Sequence, residues 1–373
     1  MMHCDLTVSE LFQAYYDCRK NKRNTWNALK FEQNLERNLM DLYYELKNKT
    51  YEPGQSIMFV VTHPKPREVW AATFRDRIVH HLLYNRFSDH FYRRFIHDSY
   101  ACIPEKGTLK AAERVSGFVR SCRNEQPTKV WYLKADIANF FVSIDKSILE
   151  KLLLKHIRDP WWSWLVTKIL HHDPTQNVYI KSSDKLLHLV PPHKSLLNTP
   201  KHLGLPIGNL SSQFFANVYL NELDQYVKRV LKVKHYARYV DDLVIISNDK
   251  ELLKDCYKLM MSFVKTKLKI RFHPNKTIIN KAEHGINFVG YIIKPFCKYI
   301  RRSTLDNMYK KTKNKKTFED LMPSVNSYFG MLRHCNGYGE RKKAAIYFSQ
   351  KGAWFDGKLT KIVSVRNQKC ISV

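Results

Sequence analysis

Apolar residues recur at helical spacing early in the chain. Leu35, Leu39, Leu42 and Leu46 share one stripe, and residues 1–60 are expected to be mainly helical. The segment 59–83 begins extended, passes Pro64 and Pro66, and turns helical near Arg75-Asp76-Arg77. Residues 130–135 form a strand-like run ending at Asp136, and 146–170 read as helix broken at Pro160. Four prolines (Pro174, Pro191, Pro192, Pro200) make 173–204 a long excursion in which one hairpin is expected. After Ser211-Ser212-Gln213 a helix follows, with Phe215, Val218, Tyr219, Leu223, Tyr226, Val227 and Val230 on a packing stripe. Residues 285–293 read as one strand-like run. Beyond residue 300 the pattern is helical and basic. No internal repeat or low-complexity segment interrupts it, and the one candidate boundary lies near residue 300.

Charge changes the picture. Lys and Arg number 63 against 34 Asp and Glu, a net +29, among 21 Tyr, 20 Phe and 7 Trp. Such an excess repels itself unless a polyanion offsets it, so nucleic acid is the expected partner. The interleaving of cations with aromatics suits phosphate contact and base stacking better than a lipid surface, and no membrane partner is expected. No apolar run approaches the ~20 residues that span a bilayer. The start, Met-Met-His-Cys-Asp, lacks a signal-peptide profile. The cysteines at 4, 18, 102, 122, 256, 297, 335 and 370 form no Cys-x-x-Cys pair, so free thiols and a cytoplasmic setting are expected. His80-His81 and His171-His172 have no further ligand at a recognised spacing, and packing is expected of them. Trp161, Trp162 and Trp164 read as a hydrophobic plug.

Chemistry concentrates at Tyr239-Val240-Asp241-Asp242. Runs rich in β-branched and aromatic residues at 235–240 and 243–246 flank the two acids, which predicts a hairpin with both carboxylates at its exposed tip. Crowded carboxylates repel unless a hard divalent cation lies between them. An isolated Asp-Asp turn is usually a solvated corner. Here Asp136, at the C-terminal end of its own strand, can add a third carboxylate to a two-metal site, with the Ile137 carbonyl as a further ligand.

Several motifs in order make the chain resemble a reverse transcriptase over about residues 60 to 335. Asp136 stands in the first palm motif and Tyr239-Val240-Asp241-Asp242 in the catalytic hairpin. Residues 204–213, with Ile207, Gly208 and Gln213, resemble the template- and nucleotide-positioning motif. Residues 272–277 resemble the motif after the hairpin, where Lys276 fits the lysine that protonates leaving pyrophosphate. Phe288-Val289-Gly290-Tyr291 resembles the primer grip, with Phe288 and Gly290 expected at nucleic acid. Phe141 occupies the steric-gate position, which implies dNTP substrates; its bland alternative is palm core. Lys65, Arg67 and Arg75 are candidates for the triphosphate, although Arg75-Asp76-Arg77 can equally be an internal ion pair. Of the eight basic residues between 298 and 316, Arg301, Arg302, Lys310 and Lys311 are expected to grip the template–primer backbone rather than form only a solvated face.

The resemblance implies an α+β right-hand polymerase: an N-terminal helical extension over 1–60, fingers over 61–135, a palm over 136–297 with an insertion at 173–203, and a basic helical thumb and tail over 298–373. It implies two Mg²⁺ ions (or Mn²⁺), a template or noncoding RNA, a DNA or RNA primer, and dNTPs. A small accessory protein or second reverse transcriptase subunit is a further implied partner. Ile207-Gly208 and Ser212-Gln213, where most members carry Gln-Gly and Ser-Pro, resemble the diversity-generating retroelement type. Ile103 stands where relatives carry a cation, which leaves open antiphage defence with a noncoding RNA. A group II intron maturase is a weaker fit, and a non-catalytic RNA-binding scaffold is the competing class.

Overall fold

The computed structural model describes residues 6–363 except 21, 23, 64, 128 and 316. Cys4, Cys370, Pro64, Lys316 and the first five residues lie outside the described residues. The chain divides into two compact units that interleave in sequence. One comprises residues up to His97 with Ile137–Lys232 and Lys258–His273; the other comprises Asp98–Asp136, Val233–Tyr257 and the residues from Pro274 onward.

In the first unit, helices Val8–Arg19, Trp26–Glu32 and Leu35–Lys47 realise the early leucine stripe, with Leu39, Leu42 and Leu46 fully buried. Helicity ends before residue 60, because Ser56–Val61 pairs antiparallel with Arg67–Ala71. The excursion after 173 holds no hairpin among its described residues. Val178–Ile180 instead pairs parallel with Ser56–Val61, Ser56 opposite Val178, and a short helix and two 3₁₀ turns follow. Pro160 begins helix Pro160–His171 rather than breaking one, since proline's missing donor costs nothing at the first position. Trp161 and Trp162 are buried there edge to face, which is the expected plug.

Helix Leu210–Gln225 runs into a π-helical turn, Tyr226–Val230. The wider turn shifts the stripe's phase: Val227 stays buried, whereas Val230, expected inward, is 63% exposed. On the neighbouring helix Phe74–Tyr92, Asp76 is buried but satisfied, accepting from Tyr51 Oη (2.8 Å), Gly54 N (2.9 Å) and Thr73 Oγ1 (2.6 Å). One turn on, His80 Nδ1 meets Ser211 Oγ at 2.8 Å.

In the second unit a four-stranded antiparallel sheet has the order His235–Tyr239, Asp242–Ser247, Trp131–Asp136, Ile278–Lys281. Leu243, Val244, Ile245 and Ile246 are buried on both faces, as expected of a central strand covered on each side. Helix Thr108–Glu125 packs Val115, Phe118, Val119 and Cys122 into the core containing Tyr132, Val244, Ile246, Ile286 and Phe288. The run at 285–293 is two strands, Ile286–Phe288 and Tyr291–Ile293, because the chain folds back at Val289 and Gly290, both at positive φ. Residues beyond 300 add helices Arg302–Thr312, Phe318–Leu332 and Tyr338–Ser349 around Met308, Leu321, Phe329 and Phe348, closed by a small hairpin, Trp354–Phe355 with Ile362–Val363. The expected cut between 135 and 136 falls inside a strand. No described helix is long and apolar enough to cross a membrane.

Burial holds both His80 and His81 down to about 4. An unfolded histidine titrates near 6.5, so the folded chain binds fewer protons between these values. Stability conferred by neutral imidazoles is therefore complete above pH ~6.5 and is lost as pH falls toward 4. Thermal melts between pH 7 and 4 should show this decline, on the order of a few kcal/mol. A His80→Gln, His81→Gln chain should decline less steeply.

Candidate active site

The strand Trp131–Asp136 organises the site. It lies between Asp242–Ser247 and Ile278–Lys281, in a register that sets Asp136 opposite Asp242 and Lys134 opposite Val244. Directly opposite residues share a face of the sheet, as do residues two apart on one strand. Lys134, Asp136 and Asp242 therefore project together.

The hairpin is tighter than its sequence suggests. Tyr239 pairs with Asp242, so the turn is Val240-Asp241 and Asp242 opens the next strand. Both acids were expected at the exposed tip; Asp242 is instead largely buried. Val240 takes a φ of 55°, a left-handed conformation that a β-branched residue adopts only under constraint. Arg238 supplies the constraint. Its fully buried guanidinium donates to the Val240 carbonyl (Nη1, 2.9 Å) and to Ser99 Oγ (Nη2, 3.1 Å). Its backbone is tied to the neighbouring chain in both directions, Arg238 N to Asp98 O at 2.9 Å and Tyr100 N to Arg238 O at 3.0 Å.

Burial pushes the Asp242 carboxyl up to about 7, against the pull of Lys134 and with Asp136 and Asp241 adding to the rise. Asp242 Oδ2 lies 3.0 Å from Lys134 Nζ, while Oδ1 is buried with no hydrogen-bond partner. Asp136 is ion-paired with Lys276, from the 3₁₀ turn Pro274–Lys276. Among the described residues no three His, Cys, Asp or Glu side chains are gathered as a metal-holding group. The three-carboxylate cluster is thus not drawn tight here; Asp136 and Asp242 are turned onto lysines. Their chemistry still fits a hard divalent cation. The donors are all carboxylate oxygens, and Asp242 Oδ1 points a buried lone pair at no protein donor. Ile137 has a buried side chain and could contribute its carbonyl alone.

The other expected residues divide into available and committed groups. Lys65 and Arg67 are exposed at the hairpin of the first unit. Arg75 is not available in the same way: it pairs with Glu45, donates to the Glu52 carbonyl (3.1 Å) and lies 4.9 Å over the Tyr51 ring. Asp76 Oδ1 is also 3.5 Å from Arg75 Nη1, so the guanidinium is engaged within the unit. Phe141, partly exposed in helix Phe140–Ser143, sits edge-on to Phe140. The Ile207 carbonyl accepts from Trp70 N at 2.7 Å. Gly208, at φ +127°, leaves no room for a side chain, since a Cβ would lie 2.8 Å from the Trp70 carbonyl oxygen. Gln213 is exposed on the first turn of its helix.

In the second unit Phe288 is fully buried in the core, so its ring cannot touch nucleic acid as expected; it anchors the turn at Val289 and Gly290. Gly290's carbonyl accepts from Arg301 N at 3.0 Å. Arg301, Arg302, Lys310 and Lys311 are exposed, with Arg302 3.3 Å from Asp306. Lys315 is spent on the Asp320 carbonyl and Ser324 Oγ.

Sequence reasoning missed Lys134 and Arg238. The two-residue spacing of Lys134 from Asp136 on a strand was a usable signal. Nothing local marked Arg238 beyond a cation inside an apolar run. Arg238→Ala should destabilise the chain by ~3 kcal/mol in chemical denaturation, because it leaves the Val240 carbonyl unpaired and opens a cavity. Arg238→Lys should recover less than half, having one ammonium for two diverging acceptors.

A family model for reverse transcriptase (RNA-dependent DNA polymerase) matches residues 63–293, more than half the chain. The group II intron-encoded protein LtrA of Lactococcus lactis subsp. cremoris is 23% identical over 319 residues, covering 72% of this chain and 51% of its own length. Protein YkfC of Escherichia coli is 21% identical, covering 66% of this chain and 68% of its own length. The retron Ec83 reverse transcriptase of Escherichia coli is 28% identical over 188 residues, covering 49% and 50% respectively. The chain spans about half the length of the curated relatives it matches first. A telomerase chain from Candida albicans shares the fold with a TM-score of 0.56 at 12% identity, over 80% of this chain and 55% of that one. With that mixed fold and with Asp136 and Asp242 paired across adjacent strands, the chain belongs to the reverse transcriptase family.

Proposed function

We propose that this protein is an RNA-directed DNA polymerase that extends a primer by two-metal nucleotidyl transfer. The observation that carries the reading is the register of Asp136 against Asp242, with the buried, unpartnered Asp242 Oδ1 beside them. Asp136, Asp241 and Asp242 would hold the cations, with the Ile137 carbonyl as a further donor. When bound, divalent cations supply Lewis-acid activation of the primer 3′-hydroxyl and charge neutralisation of the pyrophosphate. The bond from that oxygen to the α-phosphorus forms as the bond to pyrophosphate breaks. Lys276, already beside Asp136, delivers its Nζ proton to the departing oxygen. Lys134 pulls Asp242 toward its ionised form, against burial, and aims it. Phe141 excludes a 2′-hydroxyl, and Lys65 and Arg67 meet the triphosphate. Arg301, Arg302, Lys310 and Lys311 meet the template–primer backbone.

The finer role proposed is copying of a dedicated template RNA in the manner of diversity-generating retroelements. Ile207 supports it, because an aliphatic side chain removes a hydrogen bond that glutamine could give the incoming nucleotide. The Ile207 backbone is held by Trp70 N, so Ile207→Gln changes side-chain chemistry on a fixed main chain. Fewer misincorporations per copied template are expected; an unchanged error rate sinks the diversification reading and favours a defence role.

Primer extension by the full chain, with an RNA template, a DNA primer, dNTPs and Mg²⁺, tests the activity itself. Asp241→Asn should lower it on the order of a thousandfold while leaving RNA binding intact. Tight RNA binding with no extension by the unaltered chain would establish the scaffold reading instead. Phe141→Ala should raise ribonucleotide incorporation relative to dNTPs, with little change in dNTP turnover.

A further inference from the structure

On the second unit, helix Thr108–Glu125 and the turn at residues 294–297 enclose a cleft of about 220 Å³. Its lining includes Arg120, Lys294, Phe296, Lys298 and one acid, Glu113. None of these residues belongs to the carboxylate site or to the basic helix Arg302–Thr312. Phe296 is 76% exposed, the most open phenylalanine described. The Arg123 guanidinium lies 3.7 Å from its ring centroid, so the ring meets a cation while most of its surface stays open to solvent.

The turn that presents Phe296 is built rigidly. Lys294 N donates to the Cys297 carbonyl at 2.8 Å. Next to it, Lys298 N donates to Asn336 Oδ1 (3.0 Å), and Asn336 N returns a bond to the Lys298 carbonyl (2.7 Å). Lys298, which lines the cleft, has its Nζ 5.0 Å over the Tyr291 ring. A phenyl ring held out by a braced turn, backed by a guanidinium and ringed by cations, forgoes burial that a flat aromatic ligand would restore.

We propose that this cleft binds single-stranded nucleic acid, with one base stacked on the exposed ring of Phe296 and its phosphates on Arg120 and Lys294. An acidic protein segment would satisfy the cations but leave the phenyl face unused, which favours the nucleotide. A cleft this small suits one planar base rather than a drug-sized ligand. The site reads no sequence, since every base has a stacking face. It gives the chain a hold on nucleic acid apart from the proposed point of synthesis.

A single-stranded RNA oligonucleotide carrying 5-iodouridine, irradiated with the full chain and mapped by mass spectrometry, tests this. The expected result is a crosslink at Phe296 that falls on the order of tenfold in Phe296→Ala and survives in Phe296→Tyr. Melting temperature serves as the folding control for both variants. Arg120→Gln with Lys294→Gln should reduce the salt slope of oligonucleotide binding by about 1.4, two single-strand phosphate contacts. Crosslinks confined to other segments, or equal yields from the unaltered chain and Phe296→Ala, overturn the proposal. So does a polyglutamate peptide whose binding depends on Phe296 while the oligonucleotide's does not. Primer extension by the same preparation reports on the polymerase reading separately: a chain that crosslinks through Phe296 but extends nothing refutes that reading and supports this site.

Discussion

The pairing of Asp136 with Asp242 across adjacent antiparallel strands is the constraint on which the rest depends. Carboxylates set side by side on one face repel, and burial makes each charge harder to keep. Two ammonium groups answer this, Lys134 on Asp242 and Lys276 on Asp136, and the first still leaves Asp242 raised to about 7. A protein gains no stability from such an arrangement for its own sake. Apolar residues at 136 and 242 would remove the charge repulsion and the buried, unpartnered oxygen together. The cost of the acids is one that the proposed cations would offset, which is why electrostatics and the proposed function point the same way here.

The same constraint explains the backbone around the hairpin. A two-residue turn must pass through left-handed conformations to match the twist of its strands, and Gly or Asn usually provides them. Here valine does so, at φ 55°, with Arg238 buried beneath to hold its carbonyl. A turn with glycine would be easier to form but freer to move. Strain held by a buried arginine yields a turn with one geometry, which is what positioned acids need.

How much of this was legible in the sequence follows from what is local and what is not. The hairpin, the strand ending at Asp136 and the helix at 210–225 were legible because apolar periodicity and turn residues signal them within a few positions. Lys134 was half-legible, since its spacing from Asp136 put it on the right face, but its partner appears only once the register with Asp242–Ser247 is known. Arg75 was left between two roles because its partner Glu45, thirty residues earlier, lies on a different helix. Phe288 was misassigned because its motif marks the turn at Val289 and Gly290, while the ring itself serves the core. The parallel pairing of Val178–Ile180 was illegible for the same reason, its partner being more than a hundred residues away.

The charge of +29 acquires a finer meaning from these contacts. Some cations are consumed internally: Arg75 by Glu45, Arg238 by the hairpin, Lys134 and Lys276 by the acids, Lys315 by a helix start. Others, among them Lys65, Arg67, Arg120, Arg301, Lys310 and Lys311, stand exposed. Internal cations are offset by specific acceptors and contribute little to the repulsion that limits a basic protein. The exposed set sustains that repulsion, and a nucleic acid backbone relieves it wherever it runs. Exposed cations occur on each unit taken by itself, and a nucleic acid backbone is the partner proposed to offset them. Composition, so read, supports the proposed nucleic acid partner on grounds independent of the acids at the candidate site.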